Sequence, residues 1–414
     1  CTSRPDSKFQ QWEEFYLYEV CGLPKASVIE LITKVRFAED LKEKFKREVI
    51  EPKYEEHEEF LSIPLLAIMM LIVYGRFAEV PDKMANFYKR AFQTLFSEHD
   101  TAKGGYKRKS YCNLAMEDFE RVFSAFCAGT YVANETKFSE KSIKTYIAKA
   151  CQLESLSCNE DDLLKDMMQS VCVIQQEGDE FVFVHRSFQE YFAAVFFCNG
   201  QLDGDQRRRI IAKIVGRVVT DNVLNLMREI DPGKLEALWL TAACAEFFGQ
   251  LGVQQGAPYP GFPKMASFLY GRLGFVEQGG GEFLIRTGEV AEGLWITTML
   301  DDAARGATNK DRRIVGLSRF TDEIIRYFQA AGEEIRNAAQ KAESKVRTVP
   351  DEREKKTPMY VLEFRKNPEA YGFLEKQKVG KALKAAYQGI CSLSLRLEAR
   401  ARERDAQTDK LIFG

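Results

Sequence analysis

From Phe9 to about His99, apolar and charged residues recur at spacings of three and four with almost no glycine between them. This is the pattern of amphipathic helices that each bury one face, and the segment predicts a helical bundle. Within it the stretch from Ile63 to Tyr74 is apolar on every side and runs for roughly a dozen residues. A membrane span needs ~20, so a core helix opened by Pro64 is expected instead. The polar run Lys103-Gly-Gly-Tyr-Lys107-Arg108-Lys109 interrupts the pattern and marks a boundary. Beyond it, Met116 to Cys198 read as several short helices and then two β-rich runs, Val171 to Gln175 and Glu180 to Val184. Glu177-Gly178-Asp179 joins those runs as a hairpin signal, and one more helix follows. Helices, a hairpin and a closing helix give the order of a winged-helix domain.

After Gly200 the pattern is again mostly helical, with a Gly/Pro-rich break at Gly256 to Pro263 and a small hairpin expected around Gly279 to Thr287. Two long helices are predicted to close the chain. One carries Ile324, Phe328, Ala331, Ile335, Ala338, Ala342 and Val346 on a single stripe, and the other Val379, Leu383, Ala386, Ile390, Leu393 and Leu397. Such stripes pack against each other or against a partner. The stretch Asp351 to Lys356, with Pro358, reads as the separator between them. No leucine-rich, tetratricopeptide or propeller repeat is visible.

At 414 residues the chain is too long for one ordinary core and predicts several packed units. With 45% hydrophobic and 29% charged residues it has the mix of a folded globular protein. The 59 Lys and Arg nearly cancel the 61 Asp and Glu, so the molecule as a whole has no bulk attraction for nucleic acid or an anionic membrane. Lys107-Arg108-Lys109 and Arg207-Arg208-Arg209 provide local basic charge, which a solvated surface also explains. Ten cysteines are scattered without a CxxC pair, the usage of reduced thiols in a cytoplasmic protein. Three histidines, His57, His99 and His185, leave no material for a zinc cluster and little for Cys/His or Ser/His catalysis. The chain opens at Cys1 rather than Met, which predicts that a further N-terminal part precedes it.

The densest chemical signal is Phe181-Val-Phe-Val-His185-Arg-Ser187-Phe-Gln-Glu190-Tyr-Phe-Ala-Ala194. A strand ends at a histidine and a helix begins at once, placing an imidazole beside helix N–H groups whose partial positive charge favours a phosphate. Ser187 and Glu190 have capping-box spacing, which would start the helix sharply. In that reading they are structural caps.

This segment resembles the end of the winged-helix domain of NACHT-type signalling ATPases, the family that includes NOD-like receptors and bacterial antiphage proteins. The resemblance implies that His185 contacts the β-phosphate of ADP and holds a resting state closed; a merely structural histidine is the alternative. Thr2-Ser3-Arg4-Pro5 is similar to the family's sensor segment at a strand's carboxyl end, which would let Arg4 reach the terminal phosphate. Phe60-Leu-Ser-Ile-Pro64-Leu-Leu resembles the family's first helical domain, where the proline packs on the adenine ring. The plain alternative is that Pro64 occupies a first helical turn, where its missing N–H costs nothing.

The resemblance covers roughly the first half of the chain. With the periodicity it gives a mainly α fold: residues 1–8 end a strand of the nucleotide-binding domain, 9–103 form a helical domain, 104–199 a winged helix with a small β-hairpin, and 200–414, which the resemblance does not reach, a helical sensor or effector-coupling region. No GxxxxGK[ST] motif occurs, and no apolar run ending in paired acids precedes Arg4. The residues that grip the β- and γ-phosphates and Mg²⁺ are therefore expected in the preceding part. Alone, this chain should not hydrolyse ATP and should hold neither nucleotide nor metal tightly, whereas its parent would be an ATPase.

The function implied is a nucleotide-dependent signalling switch in the cytoplasm. ADP and ATP with Mg would be its cofactors, its own nucleotide-binding domain a partner, and oligomerisation of like chains the active state. Absence of a solenoid repeat points to a bacterial member, for which antiphage defence is the corresponding role; nothing in the sequence names the trigger. Two other readings stand beside it. A winged-helix nucleic-acid regulator would use the local basic charge, but the helix after Ser187 is too apolar to lie in a groove. A helical scaffold would use the closing amphipathic helices to bind a partner.

Overall fold

The computed structural model describes residues 21–97 apart from 56, 80 and 82, then 111–218, 221–270, 273–278, 282–287, 292–305, 324, 326–327, 346–350, 356–362 and 374–413. The chain is mainly helical and divides into two compact units, Cys1–Lys109 and Ser110–Gly414. Among the described residues no helix is long and apolar enough to cross a membrane. The sensor-like segment at Arg4, the polar run at 103–109 and most of the predicted helix from Ile324 to Ala342 lie outside the described residues.

In the first unit, α1 (Lys25–Lys34), α2 (Glu39–Phe45), α3 (Glu51–Lys53), α4 (Glu58–Leu61), α5 (Pro64–Phe77) and α6 (Met84–Ser97) are described, with one π-helical turn, Lys46–Ile50, between α2 and α3. The apolar run forms α5, whose Leu66, Ala67, Met70, Leu71 and Val73 are buried against α1, α2, α4 and α6. Hydrophobic on all sides, α5 is a core helix as its sequence predicts. Lys42 is almost wholly buried, yet its ammonium donates to the carbonyls of Thr33 (2.9 Å) and Val35 (3.2 Å) and pairs with Glu39 at 2.7 Å. It thereby satisfies carbonyls left open at the end of α1, where a cation is also favoured by the helix dipole.

The second unit begins with α7 (Met116–Ala133), β1 (Lys137–Ser139), α8 (Glu140–Leu153), α9 (Glu160–Lys165), a π-helical turn at Asp166–Ser170, β2 (Ile174–Glu177), β3 (Glu180–Phe183) and α10 (Arg186–Asn199). The strands form an antiparallel sheet in the order β1-β3-β2. Helix, strand, two helices and hairpin make the winged-helix arrangement. The hairpin loop is Gly178-Asp179, and Gly178 has φ 63°, the left-handed conformation that a two-residue loop asks of glycine. Its first strand starts at Ile174 rather than at Val171. Val171 instead closes the π-helical turn by donating to Asp166 O, and the Val173 N–H turns back to Met167 O, although the Val173 carbonyl still accepts from the Val184 N–H at 3.0 Å. Phe123, Phe126, Phe138, Phe183 and Phe192 build the core of this part, with Phe123 and Phe192 edge to face at 4.7 Å.

The unit continues through α11 (Gly204–Val218), α12 (Val223–Ile230), α13 (Pro232–Lys234), a π-helical turn at Leu235–Leu240, α14 (Thr241–Leu251), α15 (Phe262–Leu269), β4 (Leu273–Gln278), β5 (Glu282–Thr287), α16 (Glu292–Arg305), β6 (Val346–Pro350), β7 (Lys356–Leu362) and α17 (Lys378–Phe413). The expected hairpin is β4–β5, but it belongs to a four-stranded antiparallel sheet in the order β5-β4-β7-β6. Two expectations are corrected here. Val346 opens strand β6 and does not end a long helix, and Lys356 and Pro358 lie within strand β7 rather than in a separator. Proline is tolerated because β4 pairs with β7 only from Met359 onward, leaving Pro358 bordered by β6 alone. The stripe from Val379 to Leu397 is buried as the sequence predicts, against α14, α15, α16 and the turn at Leu235–Leu240. It is covered by the chain's own helices, so the scaffold reading loses that face.

Candidate functional site

Strand β3 delivers the chain to His185, and α10 starts at the next residue. His185 keeps extended backbone (φ −145°, ψ 135°) and is itself the N-cap: its Nδ1 accepts from the Ser187 backbone N–H at 3.2 Å and lies 2.6 Å from the Ser187 hydroxyl. The capping box expected between Ser187 and Glu190 is therefore corrected. Ser187 already lies inside the helix, and the imidazole takes the place of the capping hydroxyl.

This arrangement decides the tautomer. With Nδ1 occupied as an acceptor, the neutral ring carries its proton on Nε2, and among the described residues nothing bonds that nitrogen. Half-buried, His185 has its pKa lowered from 6.5 by burial, which favours the neutral form. The site thus offers one N–H donor in a fixed direction at the positive end of a helix, suited to an anionic oxygen.

Behind the histidine, the buried Glu190 turns away from the cap. Its Oε1 pairs with Arg186 Nε at 3.1 Å, and burial, then the neighbouring Asp221, raise its pKa from 4.5 to about 7. Arg186 and a hydrogen bond with the Asn222 backbone act the other way. Asp221 in turn accepts from the Tyr131 hydroxyl (2.6 Å) and the Val223 backbone N–H (3.1 Å), so the group joins α7, α10 and the start of α12. Gln189, 1% exposed, donates to Thr130 Oγ1 at 3.0 Å and Glu135 O at 2.8 Å, fixing α10 to the end of α7. At its other end α10 presents the Phe197 carbonyl to the Trp239 indole N–H at 3.0 Å.

Of the other predicted contacts, Pro64 opens α5 after an extended Ile63 and is exposed. It lies in the first unit and His185 in the second; Arg4 lies outside the described residues. Sequence reasoning missed Tyr131, Gln189 and Asp221. Only Asp221-Asn222 ahead of an apolar run offered a cue, as a helix start. Fold and site together define a helical protein with a winged-helix part whose last helix is capped by a half-buried histidine. No family model matches the chain, and no curated protein matches it either.

Proposed function

We propose that the chain is the regulatory part of a nucleotide-dependent signalling switch of the NACHT type, in which His185 donates from Nε2 to a phosphate oxygen of bound ADP and so holds the winged helix in a resting position. The observation that carries this reading is the cap at the head of α10. Nδ1 is committed to Ser187, which leaves Nε2–H as a directed donor where the helix dipole favours negative charge. A parent chain would supply the phosphate-binding loop and the Mg²⁺ ligands, and Arg4 and Pro64 would add contacts to the terminal phosphate and the adenine. Exchange of ADP for ATP would then release the winged helix and permit oligomerisation, in a cytoplasmic role such as antiphage defence.

The test is ADP retention by the full-length parent. A hydrogen bond to a charged group is worth about 1.5–3 kcal/mol, so His185→Ala should weaken ADP binding by about tenfold or more and raise trigger-independent oligomerisation. His185→Gln, which keeps an N–H donor, should lie between. ADP affinity unchanged in both variants would overturn the reading.

Nucleic-acid recognition is disfavoured by charge. Helix α9, the second of the pair that would enter a groove, begins Glu160-Asp161-Asp162, and the hairpin loop contains Asp179 and is flanked by Glu177 and Glu180. Both elements would face phosphates with like charge.

A further inference from the structure

Cys112 converges with Cys151 and Cys158, themselves close in sequence, at the corner between α8 and α9. Cys151 lies in the last turn of α8, which ends in a Schellman turn: Ser155 takes φ 56°, its N–H bonds Gln152 O, and the Leu156 N–H bonds Cys151 O at 2.9 Å. That turn folds the chain back and brings Cys158, next to the cap residue of α9, to 2.7 Å from Cys151, sulfur to sulfur. Arg121 of α7 holds the same turn through Glu154, with Nε to Oε2 at 3.0 Å. Cys112 interacts with Cys158 from a third segment, which is fixed because the N–H groups of Tyr111 and Cys112 donate to the buried Asp166. All three are free thiols, and no group of three among the described residues is arranged to hold a metal ion.

We infer that Cys151 and Cys158 form an oxidation-sensitive pair, which a peroxide converts to a disulfide that fixes the α8–α9 corner. Half-buried Cys158 is the better exposed of the two and reacts first. Its sulfur attacks one peroxide oxygen, the O–O bond breaks, and the departing hydroxide takes the Cys158 thiol proton and leaves as water. Cys151 sulfur then attacks the sulfenic sulfur of Cys158; the S–S bond forms, the S–O bond breaks, and the hydroxyl leaves with the Cys151 proton as a second water. Two thiols have lost two electrons and two protons, and one peroxide has become two waters. Burial raises the Cys151 and Cys112 thiols to about 12, so both stay protonated and resist direct attack on the oxidant.

Trypsin makes the test direct, because residues 150–165 form one peptide containing both cysteines, whereas Cys112 lies in 110–121. The full chain is treated with hydrogen peroxide, alkylated and digested, and the peptides are weighed. Peptide 150–165 should lose two hydrogens in most molecules and regain them with dithiothreitol. Cys112→Ser should leave this unchanged, while Cys158→Ser and, independently, Cys151→Ala should abolish it, with unfolding curves confirming that each variant is folded. The inference is overturned if 150–165 keeps both thiols at a dose that oxidises the exposed Cys21 or Cys172. Recovery of Cys158 as sulfinic acid, or linked to 110–121, overturns it equally.

Discussion

His185 and Glu190 stand on the same strand-to-helix junction and make stability depend on pH in opposite senses. Burial lowers the His185 pKa below 6.5, so folding disfavours its charged form. Its contribution is whole above the unfolded value and is lost as pH falls below about 6.5. Glu190 is the reverse case: its pKa rises from 4.5 to about 7, so its contribution is whole below 4.5 and is lost as pH climbs to about 7. Glu190→Gln keeps a hydrogen-bonding group but removes the ionisation. Stability at pH 8 should rise by about 1–3 kcal/mol relative to the parent chain, while that at pH 4.5 stays nearly unchanged. Urea unfolding across this range checks it, and parallel curves for the two proteins would show that Glu190 does not titrate in the folded state as described. At this scale the sequence disclosed His185, because a histidine between an apolar strand and an apolar helix is visible as a pattern. It could not disclose Asp221 or Tyr131, which reach the junction only through the packing of α7 and α12 on α10.

Elements with a strong local pattern were legible. Helix α5, apolar on every face, and α17, striped from Val379 to Leu397, lie where their patterns put them, and the hairpin loop at Gly178 follows from its glycine. What escaped was pairing at a distance. Strands β6 and β7 pair with each other, but they join a larger sheet only because β4, some eighty residues earlier, borders β7, and Pro358 reads locally as a break. The cysteine trio is hidden for the same reason: 112, 151 and 158 have no informative spacing until the Schellman turn and Asp166 bring them together. A testable consequence of such non-local bonding is Gln189→Leu. Isosteric packing would be kept roughly, but the Glu135 carbonyl and Thr130 hydroxyl would lose the donor that ties α10 to α7. The winged-helix part should lose about 1–3 kcal/mol. A urea midpoint unchanged from the parent chain would mean that this link contributes nothing to stability.

For the molecule as a whole, the division at Lys109/Ser110 and the position of α17 lead to one experiment on chain length. The second unit holds its own core, from the aromatic cluster around Phe126 to the helices behind Trp239, so residues 110–414 should unfold in one cooperative transition without the first unit. Within that unit α17 is divided in its roles. Val379, Leu383, Ala386, Ile390 and Leu393 are buried, and Tyr387 donates to Ala257 O at 2.8 Å. Arg400 still pairs with Glu236, but from Glu403 to Gln407 the helix is exposed. Ending the chain after Asp405 should therefore change stability by no more than about 0.5 kcal/mol, as expected for surface positions. Ending it after Gln377 removes the stripe that covers α14, α15 and α16, each large buried side chain being worth about 1.5–3 kcal/mol; the sum exceeds what an ordinary domain has in reserve. That shorter chain should lose its cooperative transition, as read by calorimetry. If it instead melts as sharply as the intact unit, α17 is an attachment and its stripe is available to a partner after all, which would restore the scaffold reading that the buried face now argues against.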